Sequence, residues 1–423
     1  MIDRVRGALV KGAMAAALAV ALAVSAQPSA RAEEPIKIGF GIALTGGLAA
    51  AGKAALVAIQ IWAEEINASG GLLGRPVELI FYDDQTNPST VPGIYTKLIN
   101  IDDVDLVISG YGTNLIAPAM PIVMSHGYVF MGLFGLAVNE RFDYPYYFQI
   151  MPAGPDPRAD WSRGFFEIAA AQTPKPVTLA VTGVDAEFPR QALIGVRQNA
   201  AEYGFEIVYE RTYPPTTADF TPILRAINAT NPDIIFVASY PPDSAGFVRA
   251  INEIGITAKL FGGGMVGLQY SAFQSKLGSM LNGIVNYDFW VPEPTLDFPG
   301  VHEFLAKYQV VAADEGIDPL GHYLPPWAFA YVQVLGQAVE AVGSLDQTAI
   351  GEYIRANEFQ TIVGPIKFGA NGEWAETRML VVQYQGIDDS GLEQFSGPGK
   401  RVVLYPEAWK SGEINYPYPG ADR

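Results

Sequence analysis

The stretch that decides the fold is residues 36–85, IKIGFGIALTGGLAAAGKAALVAIQIWAEEINASGGLLGRPVELIFYDDQ. Apolar residues alternate at its start, which is typical of a strand that buries one face, at Ile36, Ile38 and Phe40. From residue 48 to residue 66 they recur at helical spacing, after a glycine loop at residues 45–47. A second strand is predicted at residues 77–82. The stretch is therefore a strand–helix–strand unit, and the glycine loop at the start of its helix offers backbone N–H groups to an anion.

The first 32 residues have the pattern of a secretory signal peptide. Basic residues precede a short apolar run at residues 13–24, and Ala30-Arg31-Ala32 matches the small-x-small cleavage pattern. An uncleaved membrane anchor is the alternative. These 32 residues carry a net charge of +3, so the remaining 391 carry −20. We expect cleavage after Ala32 and export to the periplasm.

The composition excludes some classes of partner. A strongly negative chain is repelled by nucleic acid and by anionic membrane surfaces. The chain has no Cys, which fits a periplasmic protein whose large core needs no disulfides. No later stretch has the length and apolar character of a membrane span, and 391 residues exceed the usual size of a single core. We therefore expect a secreted protein with two domains.

The alternation of strands and helices continues along the chain and is interrupted twice. Proline and aromatic residues mark breaks at residues 144–157 and 286–299, and more helices follow than a second domain needs. The simplest topology returns the chain to the first domain, giving two lobes with a hinge. The loops after the first, third and fourth strands would share the sheet edge where ligands bind, at residues 44–48, 110–115 and 132–137. One helix is predicted at residues 115–126, and two strands flank a turn at Asn371-Gly372.

Four segments carry a resemblance to a known family. They are IKIGFGIALTGGLAAAGKA at residues 36–54, INASGGLLGRPVELIFYDDQTNP at 66–88, the block at 218–256, and VGPIKFGANGEW at 363–374. In this order, behind a cleavable signal, they resemble the periplasmic substrate-binding proteins of ABC transporters, of the branched-chain amino acid (Leu/Ile/Val) binding type. The resemblance covers nearly all of residues 36–385.

The family implies an α/β architecture, the type I periplasmic binding protein fold. Two Rossmann-like lobes would be joined by three crossing segments, with a ligand cleft between them. By similarity, lobe 1 is residues 36–152 plus 288–376, and lobe 2 is residues 153–287 plus 377–423. The resemblance also implies a monomeric receptor that captures a small molecule and delivers it to inner-membrane ABC permease subunits.

The resemblance implies ligand contacts at Tyr111, Thr113, Phe134, Gly135, Leu136, Phe188, Tyr240 and Met265. Thr113 and the Gly135 loop would hold a carboxylate, and Phe134, Phe188 and Tyr240 would sandwich the body of the ligand. Tyr111 and Met265 add to a large apolar cleft. At Ala50-Ala51 the family can place a large side chain, so this chain leaves more room there.

Two departures from the family bear on the ligand. Leu136 stands where a Thr fixes both ends of an amino acid, and Gly264 or Met265 stands where an acidic residue pairs with its ammonium group. A buried ammonium without a counter-charge costs several kcal/mol. We therefore expect a small organic acid with an aromatic ring. Asp185, Glu187 or Asp288 could supply the charge instead, so an amino acid, an amide or urea remains open, as does a ligand sensor of the same fold.

Catalysis, cofactors and metals have no support in the sequence. The G-x-G at residues 39–41 lacks the third glycine of the dinucleotide fingerprint, because Leu44 stands there. Serine hydrolase G-x-S-x-G patterns are absent, and three His without Cys leave little material for a zinc site. We expect a binding protein, not an enzyme.

Overall fold

The computed structural model describes residues 34–419, so the predicted signal peptide at residues 1–32 lies outside the described residues. Within residues 34–419, the helices are all too short or too polar to cross a membrane.

The first part of the chain forms a parallel sheet with helices between its strands. Its elements are β1 (Ile36–Ile42), α1 (Ala49–Ala68), β2 (Val77–Asp83), α2 (Val91–Asn100), β3 (Leu106–Tyr111), α3 (Thr113–Ile116), α4 (Met120–Ser125), β4 (Phe130–Leu133), α5 (Asn139–Phe142) and β5 (Tyr147–Gln149). The strand order is β2-β1-β3-β4-β5, and all neighbours are parallel. The carboxyl ends of these strands therefore lie at one edge.

The middle of the chain builds a second sheet. Its elements are α6 (Pro157–Ala170), β6 (Thr178–Val184), α7 (Glu187–Tyr203), β7 (Glu206–Tyr213), α8 (Thr221–Asn228), β8 (Ile234–Ser239), α9 (Pro241–Ile254), β9 (Leu260–Met265), α10 (Ser271–Leu277) and β10 (Val285–Asp288). Strands β6 to β10 pair in parallel, in the order β10-β9-β8-β6-β7.

The last part of the chain contributes to both lobes. Its elements are α11 (Val301–Glu315), α12 (Pro325–Val342), α13 (Gln347–Ala356), β11 (Glu358–Thr361), β12 (Gly364–Lys367), β13 (Leu380–Tyr384) and β14 (Arg401–Tyr405). Helices α11 and α12 pack on α1, and α12 also contacts β4 of the first sheet. Strand β13 pairs antiparallel with β10 and with β14, which completes a seven-stranded second sheet.

The chain thus passes between the two sheets three times: after β5, after β10 and before β13. This confirms the expected pair of lobes with three crossing segments. The lobe limits drawn at residues 152, 287 and 376 stay a prediction.

The structure corrects several local expectations. The helix expected at residues 115–126 is two short helices, α3 and α4, since Pro118 follows the first and Pro121 stands at the start of the second. Both breaks contain a short strand, β5 in the first and β10 in the second. Strands of three or four residues are too short to be predicted from sequence periodicity. Strand β12, which contains Ile366, pairs with β11. Strand β13, after the turn, instead joins the second sheet.

Strand β1 shows why the alternation was only part of the pattern. Ile36, Ile38 and Phe40 are fully buried as expected, but the intervening positions are also buried or half-buried. Helices cover both faces of a parallel sheet, so neither face of its central strands meets water.

Candidate ligand-binding site

Two loops at the edge of the first sheet begin the site. Strand β3 ends at Tyr111, and Gly112 then adopts φ +98° before α3 starts at Thr113. A side chain at Gly112 would be strained in this left-handed conformation, so glycine allows the tight entry into the helix. Strand β4 leads in the same direction into Phe134. Ligands of parallel sheets bind at this edge, beyond the carboxyl ends of the strands.

A small enclosed cavity lies at these loops. Its lining comes from both lobes and consists of Tyr111, Gly112, Thr113, Phe134, Met151, Trp161, Phe188, Tyr240, Val266, Tyr287, Phe289 and Tyr323. The volume is about 20 Å³, which has room for about one water molecule. Any ligand larger than a water molecule must therefore displace wall side chains as it enters.

Aromatic rings fill most of this space. Phe134 lies 4.2 Å from Phe289, measured between ring centroids, and both also contact Tyr323. Across the cavity, Trp161 packs edge-on against Phe188 at 5.3 Å. These rings make the cavity wall apolar and polarizable, which favours a flat ligand.

The backbone at Phe134 is in an unusual conformation. Its φ is +62°, which costs a residue with a side chain of order 1–3 kcal/mol and is held only by its surroundings. The fully buried Gln149 holds it. Its side-chain oxygen accepts hydrogen bonds from the N–H groups of Phe134 (3.0 Å) and Met151 (3.1 Å), and its nitrogen donates to Gly135 O (2.6 Å).

The loop after β4 is also tied to the loop after β3. Thr113 Oγ1 accepts a hydrogen bond from the N–H of Leu136 at 3.0 Å. The hydroxyl hydrogen of Thr113 stays available for another acceptor. The two loops expected to hold a carboxylate are therefore fixed relative to each other.

Four buried tyrosines gather their hydroxyl groups beside the rings. Tyr323 OH lies 3.0 Å from Tyr287 OH and 3.4 Å from Tyr111 OH. The ring of Tyr270 stands edge-on to Tyr323 at 5.2 Å, and its hydroxyl is buried with no hydrogen-bond partner among the described residues. We call these four residues the tyrosine cluster.

Tyr240 connects the lobes directly. It precedes α9 in the second lobe, and its hydroxyl donates a hydrogen bond to Asn114 Oδ1 in the first. Its ring lies 6.0 Å from that of Phe188.

No charged side chain lines the small cavity, whose walls all lie within the described residues 34–419. The three acidic residues considered as ammonium partners are engaged elsewhere. Asp288 is paired with the buried Arg401 at 3.0 Å, Asp185 is paired with the exposed Arg190 at 2.9 Å, and Glu187 accepts a hydrogen bond from Gln191.

Five of the eight expected ligand residues line the cavity: Tyr111, Thr113, Phe134, Phe188 and Tyr240. Gly135, Leu136 and Met265 do not, and their contact with ligand stays a prediction. The Met265 side chain is fully buried in the hydrophobic core of the second lobe, while its neighbour Val266 reaches the cavity. Leu136 is fully buried in the main hydrophobic core.

Sequence reasoning missed several wall residues, among them Met151, Trp161, Tyr287, Phe289 and Tyr323. Three of these five lie on crossing segments or at their ends, which had been treated only as connections. An available signal was the alternation of Tyr287 and Phe289 around Asp288, since a strand sends alternate side chains to the same face.

The glycine loop after β1 does not offer a free anion site. The carboxylate of Asp83, at the end of β2, accepts hydrogen bonds from Leu44 N (2.9 Å), Thr45 N (3.2 Å) and Thr45 Oγ1 (2.6 Å). Thr45 therefore does not cap α1, whose N-cap is Leu48.

A larger cavity of about 640 Å³ lies where room was expected beside Ala50-Ala51. Its walls also include Leu48, Pro241 and Tyr270. Tyr240, which precedes Pro241, lines the small cavity, and Tyr270 of the larger cavity contacts Tyr323 of the small one. Among residues 34–419, no group of three or more His, Asp or Glu side chains is arranged to hold a metal ion.

Comparison with known proteins identifies the family. The family model for the periplasmic binding protein matches residues 35–391. The chain belongs to the periplasmic binding protein family.

Relatives and solved structures agree with this assignment. The Leu/Ile/Val-binding protein homolog 8 of Brucella abortus is 24% identical over 384 residues, which cover 88% of this chain and 91% of that protein. A solute binding protein from R. palustris, solved in complex with benzoate, has a TM-score of 0.73 at 18% identity and covers 88% of this chain and 95% of its own. LivJ of Streptococcus pneumoniae, solved with isoleucine, has a TM-score of 0.71 at 18% identity, covering 88% and 100%. At these identities the structures show the fold alone, the type I periplasmic binding protein fold.

Proposed function

We propose that this protein is the periplasmic receptor of an ABC importer and that it captures a small organic acid with an aromatic ring. The observation that carries this proposal is a cavity between the lobes that is lined by aromatic rings and by no charged side chain. The receptor closes its lobes on the ligand and delivers it to permease subunits in the inner membrane.

The missing charge argues against an α-amino acid. An ammonium group in this cavity would lose its hydration without gaining a counter-ion, at a cost of several kcal/mol. A carboxylate needs only hydrogen-bond donors. In the Gly135 loop, the N–H groups of Phe134 and Leu136 already donate to other residues. The hydroxyl of Thr113 and the N–H of Gly135 are therefore the donors for the carboxylate, and each bond to a charged acceptor contributes roughly 1.5–3 kcal/mol.

The rings argue for a flat ligand body. Phe134 from the first lobe and Phe188 and Tyr240 from the second line the cavity, and each well-placed aromatic contact contributes about 0.5–1.5 kcal/mol beyond buried area. A ligand ring would replace contacts that Phe134 and Phe289 now make with each other. The larger cavity beside Ala50-Ala51 supplies an approach to this position.

Closure requires that the ligand bind the closed form more tightly than the open one. Residues from both lobes line the cavity, so the full set of contacts exists only when the lobes are together. The relatives do not decide the ligand, since one solved structure holds benzoate and another isoleucine. An amino acid therefore remains the alternative ligand.

A thermal-shift screen of the mature chain tests the proposal. Benzoate and hydroxybenzoates are compared with leucine, isoleucine, valine, short-chain amides and urea. A ligand at 100 times its dissociation constant adds about 2.7 kcal/mol of stability, which raises the melting temperature measurably. We expect the aromatic acids to shift the curve. If only α-amino acids do so, the argument from the uncharged cavity is wrong.

The remaining expectations complete the proposal. Cleavage after Ala32 would release a monomer of 391 residues into the periplasm, with lobe 1 at residues 36–152 plus 288–376. Mass spectrometry of the periplasmic fraction would show the cleavage site, and size-exclusion chromatography with light scattering would show the oligomeric state.

A further inference from the structure

The tyrosine cluster does not use all of its hydroxyl hydrogens in hydrogen bonds. Tyr111, Tyr270, Tyr287 and Tyr323 each carry one hydroxyl hydrogen, and each residue is at most 5% exposed. Only two hydrogen bonds join the four hydroxyls, one between Tyr287 and Tyr323 and one between Tyr111 and Tyr323. Two hydroxyl hydrogens are therefore left without an acceptor among the described residues.

Such a surplus is uncommon in a protein interior. Buried polar groups nearly always find a partner, and an unpaired donor costs roughly 1–3 kcal/mol. Tyr270 shows the deficit directly, because its buried hydroxyl has no hydrogen-bond partner within 3.5 Å among the described residues. The two unused hydroxyl hydrogens favour an acceptor oxygen placed beside these residues.

The cluster spans the two lobes. Tyr111 ends β3 of the first sheet and Tyr323 precedes α12, which packs on the same lobe. Tyr270 precedes α10 and Tyr287 lies on β10, both in the second lobe. An oxygen atom held by hydroxyls from both sides would bind only when the lobes are together.

The phenols remain donors at any physiological pH. Burial raises the pKa of all four hydroxyls above the usual value of 10, so none of them ionises to a competing anion. Thr113, with its free hydroxyl hydrogen, follows Tyr111 by two residues and faces the same cavity.

We infer that the tyrosine cluster donates hydrogen bonds to one oxygen of the ligand carboxylate, while Thr113 and its loop donate to the other. This inference rests on the proposed capture of an organic acid, and it assigns the acid's recognition to residues of both lobes. A carboxylate has about four lone-pair sites, enough for both sets of donors. The carboxylate then favours the closed form, because only that form brings both sets of donors to it.

The test compares Tyr270→Phe with Tyr95→Phe in the full mature chain. Tyr95 is also buried in the first lobe, but its hydroxyl is satisfied by Ile108 O at 2.8 Å and lies outside the cavity lining. Melting temperature without ligand and affinity by calorimetry are measured for both variants. The probes are benzoate and isovalerate, an aromatic and an aliphatic acid.

The two variants should give opposite results. Tyr270→Phe removes an unpaired hydroxyl, so the melting temperature should stay or rise while affinity for the acid falls at least 10-fold. Tyr95→Phe breaks a satisfied bond, so the melting temperature should fall while affinity stays within 2-fold.

Other outcomes overturn the inference. Unchanged affinity of Tyr270→Phe would mean that the cluster holds no ligand oxygen, and a lowered melting temperature would mean that its hydroxyl has a structural partner. If only isovalerate binds and Tyr270→Phe weakens it, the inference holds and the aromatic part of the proposed function fails. If neither acid binds the unmodified protein, both fail.

Discussion

Two regions of the molecule are built on the same short segments and have opposite chemistry. On one side, Tyr287, Phe289 and Tyr323 line a cavity without charge. On the other, their neighbours Asp288 and His322 contact Arg401 in a fully buried polar network, which we call the charged clamp.

The charged clamp joins elements from the crossing region. Arg401 on β14 donates to Asp288 on β10 at 3.0 Å and to His322 Nδ1, just before α12, at 2.8 Å. Burial raises the pKa of Asp288 despite the nearby Arg401, and burial together with Arg401 lowers the pKa of His322 well below 6.5. His322 is therefore neutral and accepts the hydrogen bond.

The difference separates two tasks. The paired charges of the clamp fix the geometry of the segments that carry them. If the same charges faced the cavity, they would select or repel ligands. Alternation along an extended segment sends each residue to its own side. The wall of the cavity can therefore remain uncharged within one residue of an ion pair.

The largest expected effect comes from breaking the clamp. Arg401→Met leaves Asp288 buried without a partner, which should lower the free energy of unfolding by about 3–5 kcal/mol. Urea unfolding measures the change. Lys307→Met is the matched control, since the Lys307–Glu65 pair is largely exposed and should contribute less than about 1 kcal/mol.

A compensated variant sharpens this result. Asp288→Leu combined with Arg401→Met removes both charges and should recover most of the lost stability. If Arg401→Met alone loses less than about 1 kcal/mol, the clamp does not stabilise the crossing segments.

The next effect is a pH dependence of stability through His322. Its folded pKa is depressed, so below pH 6.5 the unfolded chain binds a proton that the folded chain refuses. The free energy of unfolding then decreases as the pH is lowered, by up to about 1.4 kcal/mol per pH unit. His322→Gln keeps an acceptor for Arg401 and does not titrate, so the stability of the unmodified protein relative to this variant should decline from pH 7.5 to pH 5.

Denaturant unfolding of both proteins at several pH values gives this difference directly, because all other titrating groups cancel. A difference that is independent of pH would show that His322 takes up its proton in the folded state. Ligand affinity should follow neither trend, since the clamp does not face the cavity.

The smallest effect concerns the cavity wall. Phe188→Ala removes one ring from the lining and should weaken binding of an aromatic acid about 10-fold, equivalent to about 1.4 kcal/mol, while the protein stays folded. Calorimetry measures the affinity. Phe220→Ala is the control, because that ring packs against Phe247 in the second lobe at 4.5 Å and lines neither cavity.

The control should lose stability without losing affinity. An unfolded Phe188→Ala protein would instead assign Phe188 to the core, and unchanged affinity would remove it from the ligand site.

The candidate site was only partly accessible from the sequence. The apolar strand that ends in a glycine loop predicted that residues 110–115 lie at the edge of a parallel sheet, and the family resemblance implied Tyr111 and Thr113 within that loop. Met265 looked equivalent at the end of its strand, yet its side chain turns into the core and Val266 faces the cavity. One residue of register decides between these positions, and an apolar strand buried on both faces gives no sign of it.

The tyrosine cluster was out of reach for a different reason. Tyr111 and Tyr323 are 212 residues apart, and their hydroxyls meet only because the chain returns to the first lobe. Nothing local to either residue predicts the other.

The sequence by itself determined the strand–helix–strand unit at residues 36–85, the breaks between lobes and the membership of the family, because periodicity and motif order are local properties of the chain. Only the tertiary structure decided that Asp288 is paired with Arg401, that the Thr45 loop binds Asp83, and that rings from both lobes enclose an uncharged cavity. Those facts depend on which face each side chain takes when distant segments pack, since burial and pairing, not residue type alone, decide whether a charge or a hydroxyl is free to meet a ligand.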